Sequence, residues 1–148
     1  MSGLLKEYDP KEVIITWDGV NLHDGIASGT FVTVARTNRT FSHNVGGDGG
    51  ATRVRSNDRS AAVTVTLRVG SDTNNALASR AADEELDPPV PHVAALLIQD
   101  FSGTTLHSSP QAYLDGPTND EFATEEGNRE WTLLVHDASM FSGGNKVA

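Results

Sequence analysis

Strict alternation of apolar and polar positions is clearest at residues 60–69, where Ala61, Val63, Val65, Leu67 and Val69 share one face. Ala62, Thr64, Thr66 and Arg68 take the other, because successive side chains of a strand point to opposite sides. The same period places Trp131, Leu133 and Val135 on the inward face of a strand at 128–137, and Val13, Ile15 and Trp17 on that of a strand at 12–17. Asp18-Gly19 directly after Trp17 is a hairpin turn signal leading into residues 20–22. Residues 30–36 are rich in β-branched side chains and read as the next strand, with Phe31, Thr33 and Ala35 opposite Val32 and Val34.

Residues 40–45 and 51–55 are strand-like segments flanking the glycine-rich loop 44–51. Four glycines, Gly46, Gly47, Gly49 and Gly50, surround Asp48 there. Their backbone freedom costs entropy unless contacts order the loop. A phosphate cradle is a poor reading, since such loops lead from a strand into a helix and here a strand follows.

The period changes once. Residues 72–86 read as the single helix, capped by the Gly70-Ser71-Asp72 turn, with Leu77, Ala78, Ala81 and Ala82 on its packing side. Asp87-Pro88-Pro89 stops it. Residues 93–99 are apolar on both faces, the pattern of a strand covered on both sides, and residues 104–114 return as a strand that Pro110 places at an edge or a bulge. The acidic loop 115–127 has Phe122 as its aromatic anchor, and in the tail 139–148 the Gly143-Gly144-Asn145-Lys146 end after Phe141 is expected to fray. Seven or more short strands with one helix predict a mainly β fold, a β-sandwich or half-barrel, in a single domain over 1–148 with an extended arm at 43–59.

Charge sharpens this picture. Between residues 36 and 68 stand six arginines against two acids, a local net of +4, in a chain whose formal net charge is −9. A basic arm on an acidic body suits a chain that binds copies of itself. Asp83, Glu84 and Glu85 crowd the end of the helix, where the helix dipole disfavours them, and form a candidate partner surface. The candidate interface is therefore Gly46, Gly47, Asp48, Gly49, Gly50, Arg53, Arg55, Asp58 and Arg59 on the arm, with Asp83, Glu84 and Glu85 on the helix.

Chemistry is sparse by comparison. There is no cysteine, which excludes disulfides and thiolate metal sites, and the five histidines stand far apart, without metal-ligand spacing. No nucleophile elbow is present, because Ser28 lies at the wrong spacing from its glycines. The expectation is a protein without catalytic, metal or cofactor site. No apolar run is long enough to span a membrane, and none resembles a signal peptide. A sequence pI near 4.8 disfavours nucleic-acid binding by the body. A nucleic-acid-binding barrel using Arg53, Arg55 and Arg59 stays open as an alternative, although no aromatic residues interleave with those arginines in the sequence.

An ordered set of segments carries a resemblance. It comprises YDPKEVII at 8–15, GTFVTV at 29–34, VGGDGGATRV at 45–54, NDRS at 57–60, LIQDFSGTTL at 97–106, NREWT at 128–132 and FSGGN at 141–145. Together they resemble the tail tube proteins of contractile-tailed bacteriophages, similar in architecture to the haemolysin-coregulated protein of type VI secretion. The resemblance covers nearly the whole chain and implies a virion structural protein. Six copies would close a ring-shaped β-barrel, and rings would stack into a tube that conducts DNA during ejection. The implied partners are further copies of the chain, the tail sheath protein, and baseplate and tail terminator proteins. Viral DNA would pass through the lumen without specific binding, with 30–43 and 52–69 the candidate lumen-facing strands. A tube initiator, a terminator or a sheath-contacting protein is the alternative within the same setting.

Overall fold

Alternation on most strands gives the sheet a single apolar face, which must be buried against another layer or by curling of the sheet itself. The computed structural model, which describes residues 3–148, shows this curled sheet. A short 3-10 turn at Pro10–Glu12 precedes β1 (Val13–Trp17) and β2 (Val20–Asn21). Then come β3 (Val32–Arg36), β4 (Phe41–Val45), β5 (Ala51–Arg55) and β6 (Ala61–Arg68). Helix α1 (Thr73–Glu84) is followed by β7 (Ala94–Asp100), β8 (Leu106–Leu114), β9 (Asn128–His136) and β10 (Ser139–Phe141).

The main sheet runs in the order β2-β1-β7-β8-β9-β6-β3, with β10 also on β8, and every pairing is antiparallel. Strands β4 and β5 stand apart as a two-stranded sheet of their own. Inward residues of both halves of the main sheet meet in one cluster. Val13, Ile15 and Trp17 of β1 and Leu96 and Ile98 of β7 share it with Val63, Val65 and Leu67 of β6 and Trp131, Leu133 and Val135 of β9. The fold is thus mainly β with one helix, as the periodicity predicts.

Strand β6 is the best-covered rib, with Ala61, Val63, Val65 and Leu67 all buried. It pairs with β3 on one side and along its whole length with β9 on the other, Val65 facing Trp131 and Val63 facing Leu133. Asp18 and Gly19 both take positive φ, 49° and 74°, the conformation of a type I′ hairpin turn. Pro110 lies opposite a register shift between β7 and β8, a bulge that absorbs its missing donor. On the other side of β8, β9 and β10 keep a single register, interrupted only around Asp137, whose φ is 52°.

Helix α1 covers one end of the curl, burying Thr73, Asn74, Leu77 and Ala81. Asn74 joins it to two strands: its amide donates to the Arg68 carbonyl at 2.9 Å, and its Oδ1 accepts from the Trp131 indole at 2.9 Å. Ala78 and Ala82, expected on the packing side, are exposed, because the helix leans on its Asn74-Leu77-Ala81 stripe. Asp72 makes no capping bond; Ser71 Oγ accepts from the Thr73 amide instead.

Three further expectations are corrected. β7 is covered on one face only: Leu96 and Ile98 are buried while Val93, just before the strand, and Leu97 are exposed, since the helix closes an end of the curl and leaves the outer face bare. Phe122 is 88% exposed and anchors nothing. The tail does not fray, because Lys146 N–H donates to the Ser102 carbonyl, Glu7 N–H to Lys146 and Ala148 N–H to Leu5. These bonds tie the two ends of the described chain and the β7–β8 turn together.

Candidate assembly interface

The β4–β5 hairpin contributes nothing to the core. All ten of its strand residues are exposed. Its register, Phe41 opposite Arg55, His43 opposite Arg53 and Val45 opposite Ala51, gathers Phe41, His43, Arg53 and Arg55 onto one face. The other face carries Ser42, Asn44, Thr52 and Val54. The Arg53 guanidinium lies over the Phe41 ring, 3.6 Å from its centroid, a cation–π contact across the strands. Sequence reasoning missed this aromatic partner, because the two residues are twelve positions apart and only the hairpin register brings them together.

The tip is ordered from within. Gly46 N–H donates to the Gly50 carbonyl at 2.7 Å, Gly49 N–H to Gly46 at 3.0 Å, and Gly50 N–H to the Asp48 carboxylate at 2.9 Å. Gly49 sits at φ +86°, where a side chain is strained. Gly47 completes the turn.

At the base, Asp58 works as a staple. Its carboxylate accepts from the Asn38 amide at 2.6 Å, the Ser60 hydroxyl at 2.7 Å and the Ser60 amide at 3.0 Å, joining the chain entering the hairpin to the chain leaving it. The Ser60 hydroxyl, then the Ser60 amide and the Asn38 amide, hold the Asp58 pKa below the usual carboxylate range. Arg59 and Arg36 each donate to the Ala138 carbonyl, at 3.3 and 3.2 Å, and Arg59 also lies 3.5 Å from Asp137. Asp58 and Arg59 therefore root the hairpin in the body of the fold, while Arg53 and Arg55 have no ion pair among the described residues.

The helix acids are placed elsewhere, and two of the three are occupied. Asp83 Oδ2 lies 2.8 Å from His92 Nε2, and Glu84 accepts from the His92 amide at 2.6 Å. His92 Nδ1 is 3.2 Å from Asp18, which Arg80 also holds at 2.7 Å. This chain of Asp83, His92, Asp18 and Arg80 folds the 87–93 loop back on α1 and the β1–β2 turn. The bond to Asp83, seconded by Asp18, raises the His92 pKa against partial desolvation. The bond from Arg80 leads in lowering that of Asp18. Of the three, Glu85 alone carries no such contact; it borders a groove of about 220 Å³ with Ala78, Ala82 and Arg129.

A second surface escaped the sequence reading. On the outer face of β6 and β9, Thr66, Asn128, Glu130 and Thr132 form the floor of a polar groove of about 510 Å³, walled by Asp115 and Glu121 of the loop between β8 and β9. No lysine or arginine lines it. Nothing in the linear pattern of the 115–127 loop says that it folds over these strands. No group of three or more metal-ligating side chains is found among the described residues.

No protein-family model matches this chain. Over 151 aligned residues, covering 99% of the chain and 87% of the relative, it is 27% identical to structural protein ORF10 of Pseudomonas phage KPP10. The solved structure of the anti-feeding prophage cap, a tube-terminating cap, aligns over 100% of this chain and 96% of its own length with a TM-score of 0.58 and 10% identity. The chain thus resembles a phage structural protein in sequence along its whole length, and shares its fold with a tube-terminating cap.

Proposed function

We propose that this chain is a structural subunit of a phage tail, built into the tail tube by self-association, with no catalytic task. The observation that carries the reading is a hairpin exposed on every strand residue, projecting from a sheet whose terminal strands β2 and β3 each lack a second neighbour among the described residues. Unpaired edges and a detached arm are liabilities in a monomer and assets in an assembly. The likeness to a phage structural protein supports the setting. In this reading six copies close a ring by pairing open edges, rings stack, and the channel conducts DNA. Sheath, baseplate and terminator proteins complete the contacts.

A second reading is favoured by the cap fold: a terminator that forms one ring and stops. Electron microscopy of the purified protein across a concentration series separates the two. Long tubes of constant diameter with a central channel support the tube subunit, and isolated rings support the terminator. Monomers at every concentration overturn self-assembly.

A further inference from the structure

The hairpin and the polar groove sit at opposite ends of the same pair of strands. The hairpin is rooted beside Ala61 of β6 and Ala138 after β9, through Arg59 and Arg36 on the Ala138 carbonyl. The groove floor lies at Thr66 of β6 and at Asn128, Glu130 and Thr132 of β9. Five residues of extended β6 separate the two, about 17 Å.

Resting on the self-assembly reading above, we infer that the Phe41-His43-Arg53-Arg55 face of the hairpin docks into the acidic groove of a second copy of this chain, head to tail. Charge complementarity names the occupant. The hairpin presents two arginines without an ion pair among the described residues, while Asp115, Glu121 and Glu130 line the groove without one. Arg129 beside it is already held by Asp120 at 3.2 Å, and Arg68, facing outward near the groove end, leaves the balance negative. A contact between unlike patches at opposite ends is heterologous, so it repeats from copy to copy in one direction. Threonine and asparagine on the floor offer hydrogen bonds to polar side chains that enter the groove.

Charge reversal in both directions tests the contact in the full-length chain, with association followed by sedimentation velocity and electron microscopy. R53E with R55E is expected to weaken association on the order of tenfold or more, and wild-type association to weaken with added salt. E121R with E130R is expected to do the same, and the four changes together to restore association. Circular dichroism confirms folding of each variant, since every substituted side chain is exposed or at the groove surface. A hairpin variant that associates like wild type overturns the contact while leaving self-assembly standing, as does a combined variant that stays weak. Wild-type protein that never associates overturns the self-assembly reading itself, and the contact with it. Normal association of the hairpin variant with loss of binding to a DNA duplex reassigns the arginine face to nucleic acid.

Discussion

Trp17 and Trp131 show how much a single side chain settles in this protein. Both are buried, and each has its indole N–H satisfied, Trp17 by the Ala112 carbonyl and Trp131 by Asn74, each at 2.9 Å. Replacing either with alanine is expected to cost about 3–5 kcal/mol, read from denaturant unfolding. Trp131→Phe keeps much of the ring but leaves Asn74 Oδ1 unpaired, and is expected to cost about 1–3 kcal/mol. Their inward placement is legible from period-2 alternation alone. The His92 network is not, because its members come from positions 18, 80, 83 and 92 and meet only through the fold. Since the folded-state pKa of His92 is raised, its stabilisation is complete below the ordinary value of 6.5 and is lost as pH climbs through the raised one. Asp18, whose pKa is lowered, contributes above the ordinary 3.8 and loses its contribution as pH falls through the lowered value. Thermal unfolding as a function of pH should therefore show a decline as pH rises from 6.5 through the raised His92 value, and His92→Gln should remove it.

At the level of elements, strands were readable wherever one face is buried, and the helix by its change of period. What stayed hidden was what each element leans on. Ala78 and Ala82 looked like a packing stripe, yet the helix rests on Asn74, whose polar side chain no hydrophobic pattern would select. The strand-like segments and glycine loop of the hairpin were visible in the sequence, but its cation–π pairing and the staple at its base depend on register and on long-range contact. Asp58→Ala is expected to loosen the hairpin's root without unfolding the body. Hydrogen exchange should then speed up at the Ser60 amide and on through β4 and β5, leaving β6 and β9 protected. Gly49→Ala, forced to φ +86°, should destabilise the tip by roughly 1 kcal/mol, seen as faster exchange at the Gly46 and Gly50 amides.

For the whole molecule, the decisive fact is that the sheet curls around one core yet does not close. Val13 of β1 and Val32 of β3 line the same groove with Tyr8 and Phe31, so the two ends of the sheet approach each other, but no ladder joins β1 or β2 to β3 among the described residues. The curl was implied by one-sided strands; the gap was not, because closure depends on strand lengths and twist that a linear pattern does not carry. The tail is a second long-range surprise, bonded to the start of the chain and to the β7–β8 turn. Deleting residues 143–148 is expected to lower the melting temperature, because Ser102 and Glu7 lose backbone partners together.

The separation of arginine hairpin and acidic groove along β6 and β9 also gives the chain a direction. Any array built by repeating one copy in that direction ends in two chemically unlike faces: one offers unspent guanidinium groups, the other unspent carboxylates. A protein that finishes such an array at one face needs an acidic socket, and at the other a basic plug. Growth and termination then become distinguishable by charge alone, without any change in the repeating unit.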